Sequence, residues 1–283
     1  MELETEVTVK TPVSSDAPPA GRLAEFNNME RPTIVTTSWD DGDRYDLKIA
    51  EILRARQVAG TFYVPITPHK EHPALGPADL RDLLSEGFEI GAHGFSHKLL
   101  WKLSQEELSK EIIPCRPILE DILGAQVRMF CYPKGRYDSN TIRVLKEAGY
   151  LGARTNRMLA TKPDFNPFAI PTTVQISRHP KYDYIKNVAR AGKIESLRLC
   201  LTHMNRLDNW VELGKKLFDS VVKNGGIWHL YGHSREIEDL GMWKDLEEIL
   251  DYVSNRKGVM YVPNCDLVRL PCGRGSNVGN GKL

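Results

Sequence analysis

The feature that most constrains this chain is an alternation. Short runs rich in β-branched and aromatic residues are followed, again and again, by stretches with helical apolar spacing. Ile34–Ser38 reads as a strand, and about Asp46 to Arg56 as a helix with Leu47, Ile49, Ala50, Ile52 and Leu53 on its apolar face. A strand Thr61–Ile66, a helix from about Pro77 to Ser85 and a strand Phe88–Ala92 follow. Ser104 and Glu107 form a capping box, and the helix they open is predicted to reach about Leu123. The pattern continues with strand Val127–Tyr132, a helix capped by Asp138 or Ser139 and stopped by Gly149, and strand Tyr150–Arg154. Residues 156–180 hold several prolines and read as a long loop with short strands. Beyond it come a helix from Tyr182 to about Ala191, a strand Leu197–Leu201, a helix Trp210–Lys223, a strand Ile227–His233, a helix from about Met242 to Asn255 and a strand Val259–Pro263. Repeated strand-then-helix units imply parallel strands wrapped by helices. Closed barrels of that kind gather their active sites at the carboxyl ends of the strands.

Chemistry-bearing residues fall where that rule puts them. Asp40, Asp41, His93, the Pro133-Lys134-Gly135 turn and His233 all sit at or just after the ends of predicted strands. Strand Ile34–Ser38 runs into the adjacent carboxylates Asp40 and Asp41 and then Gly42, and two neighbouring carboxylates need a compensating cation or proton. His93 and His97 are four residues apart, so a helical turn after their strand would put both on one face. Two neutral imidazoles and one carboxylate make a three-ligand site for Zn²⁺ or a similar divalent ion, with positions left open for water and substrate.

In this order, Ser38-Trp39-Asp40-Asp41-Gly42, then His93-Gly94-Phe95-Ser96-His97, then Cys131-Tyr132-Pro133-Lys134-Gly135 resemble the motifs of the polysaccharide deacetylase family. This is the NodB-homology, or carbohydrate esterase 4, family, and the resemblance covers roughly residues 31 to 265. It implies a distorted, partly open (β/α)7 barrel and hydrolysis of an N-acetyl group on an amino sugar or glycan. It implies Asp41, His93 and His97 as ligands of a divalent metal, most simply Zn²⁺, with Co²⁺, Ni²⁺ or Mn²⁺ as alternatives. Asp40 would be the general base, and the backbone N–H of Lys134 would hold the oxyanion. Tyr132 and Lys134 of the third motif are expected to contact substrate. The general acid should come from the late strand. Its closest match to the family's Leu-x-His is Tyr231-Gly232-His233, with His229 as the competitor. Residues four apart on a strand lie roughly 13 Å apart, so His233 belongs at the rim and His229 deeper, in a structural role.

Three departures stand out. Many relatives carry an arginine where this chain has Cys131, and that arginine orients the base; Arg154 and Arg136 are the two candidates to replace it. Gly94 stands where relatives have a hydroxyl residue. The fourth motif has no clean match, Asp164 being the nearest candidate, and Trp39 is expected to be buried packing rather than a pocket wall. Two other functions fit the same residues: hydrolysis of a different non-peptide C–N bond, such as a formamide or cyclic ureide, and glycan binding without catalysis.

With 283 residues the chain can bury a substantial core. Its formal net charge of +1 gives no reason to expect a nucleic-acid partner, and no apolar run reaches the roughly 18 residues of a membrane span. Five cysteines without short metal spacing read as reduced thiols, and the first residues are acidic with no apolar core. Together these give the expectation of a cytoplasmic protein acting on a carbohydrate or sugar conjugate. Residues 1–30 read as a flexible leader, 31–265 as the catalytic domain and 266–283 as a flexible tail.

Overall fold

The computed structural model describes residues 20–68, 72–177 and 209–271. The helix expected at Tyr182–Ala191 and the strand expected at Leu197–Leu201 lie outside the described residues, as do residues 1–19 and 272–283. Among the described residues eight parallel strands form one sheet: β1 (Thr33–Asp40), β2 (Gly60–Val64), β3 (Glu89–Ala92), β4 (Met129–Cys131), β5 (Gly152–Arg154), β6 (Val174–Gln175), β7 (Gly226–Gly232) and β8 (Val259–Tyr261). Their order is β5-β4-β3-β2-β1-β7-β6. β8 shares an edge of β1 with β2: it pairs with Thr33 to Val35, and β2 takes over from Thr37 onward. The sheet curls until its edges meet. Ile170 donates its N–H to the Ala153 carbonyl and accepts from Thr155 N–H, both at 2.9 Å, just before the chain enters β6. This is the distorted (β/α) barrel expected from the motifs.

Every residue of β1 is buried, as a central strand covered on both faces must be. Its two faces differ because side chains alternate along a strand. Val35 and Trp39 belong to the large apolar layer between sheet and helices, and Trp39 is 0% exposed there, so it is packing and not a pocket wall. Ile34 points into the barrel and packs among Tyr63, Met129, Ile227 and Met260. Higher on the same inward face the residues turn polar, and each is satisfied: Thr36 Oγ1 donates to Asn264 Oδ1 at 2.9 Å, and Ser38 Oγ meets His229 Nε2 at 2.9 Å. Asp40 is the next inward residue. The barrel is narrow enough that a Cβ on Gly91 would lie 2.5 Å from the Tyr63 ring, so only glycine fits opposite that tyrosine.

Helices cover the outside: α1 (Ala20–Asn27), α2 (Asp46–Ala55), α3 (Pro77–Ser85), α4 (Gln105–Ile112), α5 (Cys115–Leu123), α6 (Ser139–Glu147), α7 (Trp210–Asn224), α8 (Ser234–Asp239), α9 (Trp243–Val253) and α10 (Asn264–Arg269). The capping box at Ser104 forms as expected, with Glu107 accepting from Ser104 N–H at 3.0 Å. The helix it opens is not continuous to Leu123. It ends at Ile112 and restarts at Cys115, because Pro114 has no N–H to give and its ring clashes with the preceding turn. Two expected boundaries also move. Helix α1 lies inside the stretch read as a leader, and Arg22 ties it to the body through Asp266 at 2.9 Å and the Tyr261 carbonyl at 2.9 Å. At the other end Leu267 of α10 and Leu270 just after it are fully buried, so the folded body extends past residue 265.

Glu89 starts β3, at the barrel end away from the residues of interest. Burial, reinforced by nearby Asp266, pushes its pKa to about 7 even though Thr61 Oγ1 and Cys265 N–H donate to it. A carboxyl with a raised folded-state pKa keeps its proton better folded than unfolded. Its contribution is therefore complete below the unfolded value and is lost as pH rises through about 7. Glu89→Gln is expected to raise the melting temperature at pH 8.5 relative to wild type and to leave it nearly unchanged at pH 5. Equal shifts at both pH values would show that Glu89 is already ionised when folded.

Candidate active site

Five strands deliver one polar side chain each to the same rim. Asp40 is the last residue of β1, Cys131 of β4 and Arg154 of β5; His93 follows β3, and His233 follows β7. Asp40 and His233 line a cleft of about 760 Å³ together with Asp41, His97, Lys134 and Arg235, while His93, Cys131 and Arg154 are buried behind it. The expected residues are thus brought together, with one exception. Tyr132 is 1% exposed, stacks on Tyr137 with ring centroids 4.5 Å apart and donates its hydroxyl to the Phe168 carbonyl. Its side chain belongs to the core and does not line the cleft; the turn after it, which carries Lys134, does.

Asp41 bends away from Asp40 because it leaves the strand with φ 80. Its Oδ1 lies 3.5 Å from His93 Nε2 and 3.3 Å from His97 Nε2. In a tetrahedral shell, ligand atoms about 2.1 Å from an ion lie about 3.4 Å from one another; both imidazoles stand near that spacing from this oxygen, and the three donor atoms lie within 4.8 Å of one another. His93 is fixed for that role. Its Nδ1 donates to the Cys131 carbonyl, 2.8 Å away, which leaves Nε2 as the nitrogen turned towards Asp41. The carboxyl of Asp41 feels burial first, which raises its pKa, yet His93, His233 and His97 outweigh it and hold it well below the usual carboxylate range. Asp40, His93 and Cys131 form a second cluster of donor atoms, but there one oxygen of Asp40 is already taken by Arg154.

Arg154 resolves the missing arginine. Its guanidinium, 1% exposed, forms a buried ion pair with Asp40 Oδ1 and stacks on Tyr231 with 4.5 Å between guanidinium carbon and ring centroid. Arg136 lies elsewhere, 5.5 Å over the ring of Trp101. Cys131 fills the place left on β4, its Sγ 3.6 Å from Asp40 Oδ2, and burial pushes its thiol pKa up, so it is not an activated nucleophile. Burial also pushes Asp40 up, but Arg154, His93 and His233 together hold it below the ordinary range. It is a carboxylate at neutral pH, with Oδ2 open to the cleft between His93 Nε2 and His233 Nε2, each 3.9 Å away.

The two histidines of β7 separate as the strand period requires. His229 is 1% exposed; its Nδ1 lies 3.0 Å from the Pro171 carbonyl and its Nε2 takes the Ser38 hydroxyl. Burial and then Arg154 push its pKa down to about 3, so it is neutral. His233 lines the cleft. Burial presses it towards neutrality, but Glu236, Asp40 and Asp41 prevail and raise its pKa above the usual histidine value. Glu236 Oε2 stands 3.6 Å from His233 Nδ1, while Glu236 Oε1 accepts from the Ser177 hydroxyl. Sequence reasoning missed Glu236. Its i+3 spacing from His233, in a helix opening right after the strand, is the signal that marks it. Asp164 is exposed and is not among the residues lining the cleft.

His229→Ala is expected to cost stability while leaving turnover within a few-fold, because it empties a buried site and strands Ser38. Its depressed folded pKa adds a sign test. The imidazole's contribution is complete above about 6.5 and is lost as pH falls towards about 3. Melting curves should therefore show wild type losing more stability than the variant on acidification from pH 7 to pH 5. Equal losses would mean His229 titrates normally when folded.

Comparison with known proteins agrees with this geometry. The family model described as polysaccharide deacetylase matches residues 27–153. A peptidoglycan-N-acetylmuramic acid deacetylase of Bacillus subtilis is 27% identical over 128 residues, covering 44% of this chain and 47% of the relative. The chain spans about half the length of the first curated relatives it matches. Among solved structures, one from Mycobacterium smegmatis assigned as a polysaccharide deacetylase superposes over 94% of this chain and 98% of its own, with a TM-score of 0.64 and 17% identity. A family 4 acetyl xylan esterase from Clostridium thermocellum in complex with a cobalt ion covers 85% of this chain and 94% of its own, with a TM-score of 0.54 and 15% identity. The likeness to these structures is one of fold, and the sequence match runs from β1 to β5 through the Asp40-Asp41 and His93–His97 motifs. Residues 27–153 thus match the polysaccharide deacetylase family, and the chain shares the fold of that family's solved members.

Proposed function

We propose that the protein is a metal-dependent deacetylase that hydrolyses the N-acetyl group of an amino sugar or glycan, giving a free amine and acetate. The observation that carries this reading is two imidazole nitrogens converging on one oxygen of Asp41, beside an Asp40 gripped by a buried arginine. Asp41, His93 and His97 would hold a divalent ion, Zn²⁺ or else Co²⁺, Ni²⁺ or Mn²⁺. When bound, such an ion supplies Lewis-acid activation of water and of the acyl oxygen. Asp40 Oδ2 takes the proton of the attacking water, and Arg154 keeps that carboxylate ionised and aimed. The Lys134 backbone N–H faces the developing oxyanion. Lys134 is held at φ 56 by the tight turn in which Gly135 N–H donates to the Tyr132 carbonyl at 2.7 Å, and Asn156 Nδ2 donates to the Lys134 carbonyl at 3.2 Å. His233 Nε2 gives its proton to the departing nitrogen, and Glu236 steadies the imidazolium from the other side.

A carbohydrate substrate is supported by the relatives, whose descriptions name acetylated peptidoglycan sugars and acetyl xylan. The presence of Arg154 where the base needs it supports catalysis over glycan binding alone. Among the described residues no helix is long and apolar enough to cross a membrane. A reducing, cytoplasmic setting is part of the proposal, supported by the buried free thiols of Cys115, Cys131 and Cys265. The test is to offer a panel of N-acetylated sugars, chitooligosaccharides, peptidoglycan fragments and acetyl xylan, and to measure acetate and primary amine together. Equimolar acetate and amine is the expected result. Acetate without amine would make the enzyme an O-esterase, and no acetate from a folded, metal-loaded protein would leave hydrolysis of another C–N bond, such as a formamide or cyclic ureide, or glycan binding alone.

A further inference from the structure

His97 occupies an unusual backbone position. Its φ is 58, in the left-handed region that residues with a side chain rarely adopt, and Gly94 of the same loop has φ 84. Something must hold this loop in shape, and α4 supplies it. Glu111 is 4% exposed, although glutamate is rarely buried. Its Oε2 accepts from the Ser96 N–H at 2.8 Å, its Oε1 accepts from the Ser96 hydroxyl at 2.5 Å, and Lys98 Nζ stands 3.5 Å from Oε1. The main chain adds to the grip: the Glu111 carbonyl accepts from Phe95 N–H at 2.9 Å. Both residues just before His97 are thus tied to this single glutamate. On the other side, Ile66 N–H donates to the Gly94 carbonyl at 3.1 Å and Thr67 N–H to the Phe95 carbonyl at 2.7 Å. Glycine at position 94 also follows from this geometry, because a side chain there would be strained at that φ and would point towards Pro133 and the Glu111 carboxylate.

We propose that Glu111 is a positioning residue for the metal site: through Ser96 it sets the loop that presents His97 Nε2 to Asp41. The proposal rests on the reading that Asp41, His93 and His97 hold the ion. Hydrogen bonds of charged groups are the strong ones, and a carboxylate that accepts both the N–H and the hydroxyl of one residue fixes that residue in orientation as well as position. Partners of this kind, one shell out from the ligands, typically govern metal affinity by about 10–100-fold.

The experiment uses the full chain with Co²⁺ as probe, reading affinity by competition with a chelator and ligand geometry by the visible absorption of the bound ion. Glu111→Ala is expected to weaken Co²⁺ binding by about 10–100-fold and to alter the spectrum, with the metal-free protein still folded by circular dichroism. Glu111→Gln, which can still accept from Ser96 N–H and share a hydrogen bond with the hydroxyl, should lie closer to wild type than to the alanine variant. Ser96→Ala, which removes only the hydroxyl, should weaken binding in the same direction by less. Wild-type affinity and spectrum in Glu111→Ala would overturn the proposal, and so would a glutamine variant as weak as alanine. If Glu111→Ala does not fold, unchanged binding by Ser96→Ala overturns it instead. His97→Ala is the control: if wild type does not bind Co²⁺, or His97→Ala binds as well as wild type, the ligand assignment itself fails and this inference with it. A normal control beside an unaffected Glu111→Ala refutes the Glu111 proposal alone.

Discussion

Replacing Arg154 with alanine is expected to destabilise the protein by about 3–5 kcal/mol and to remove most activity, the range seen when one partner of a buried ion pair is taken away. Asp40 is 4% exposed, so without Arg154 its charge has lost its closest compensation. The folded state then favours a protonated Asp40, which cannot act as a base. In wild type the depressed pKa of Asp40 contributes stability that is complete above about 4 and is lost as pH falls further, so the alanine variant should show a weaker acid dependence in that window. Arg154→Lys separates charge from geometry. A lysine can neutralise Asp40 but cannot reproduce the planar contact with Tyr231 that aims the guanidinium at Asp40 Oδ1, so it should recover stability better than turnover. Denaturant unfolding and kcat on the three proteins decide it. An alanine variant with wild-type stability and rate would mean that Arg154 does not govern the base.

The second large effect belongs to His233. His233→Ala is expected to lower kcat by about 10²–10⁴-fold, the usual loss for a general acid, with metal content intact and little change in melting temperature. The imidazole is partly open to the cleft, so its removal opens no core cavity. The contrast with His229→Ala, which should fail in stability rather than turnover, is the sharper form of the prediction. An active His233→Ala beside a stable, inactive His229→Ala would reverse the two roles.

How far these residues were legible in the sequence depends on the range of the physics involved. Strand period is local, so it already separates His233 at the rim from His229 two layers down. Capping is local too, and Ser104 with Glu107 starts α4 as the pattern says. The break at Pro114 is equally local, but the apolar spacing continues on either side of it and masks it. Arg154 is a different kind of case. Arg136 is closer in sequence to Cys131, but Asp40 is met by whichever side chain the curled sheet aims across its interior. That depends on β5 lying four places from β1 in strand order, a property of the closed ring and not of any segment. Tyr132 shows the same limit in reverse. It stands inside a recognisable motif, yet its partners Tyr137 and Phe168 come from later loops that turn it into the core. Helix α1 is not legible from its own eight residues, which carry too little apolar pattern, and its anchor Asp266 lies at the far end of the described chain.

The central claim, that one ion held by Asp41, His93 and His97 is needed for acetyl hydrolysis, is tested most directly by acetate release measured against metal added back. Protein stripped with a chelator and titrated with Zn²⁺ or Co²⁺ should regain acetate release from a chitooligosaccharide in proportion to bound metal, saturating at one ion per chain. His93→Ala should neither hold the ion nor release acetate under the same conditions. Full activity in the stripped wild type, or wild-type metal content and rate in His93→Ala, would contradict the account.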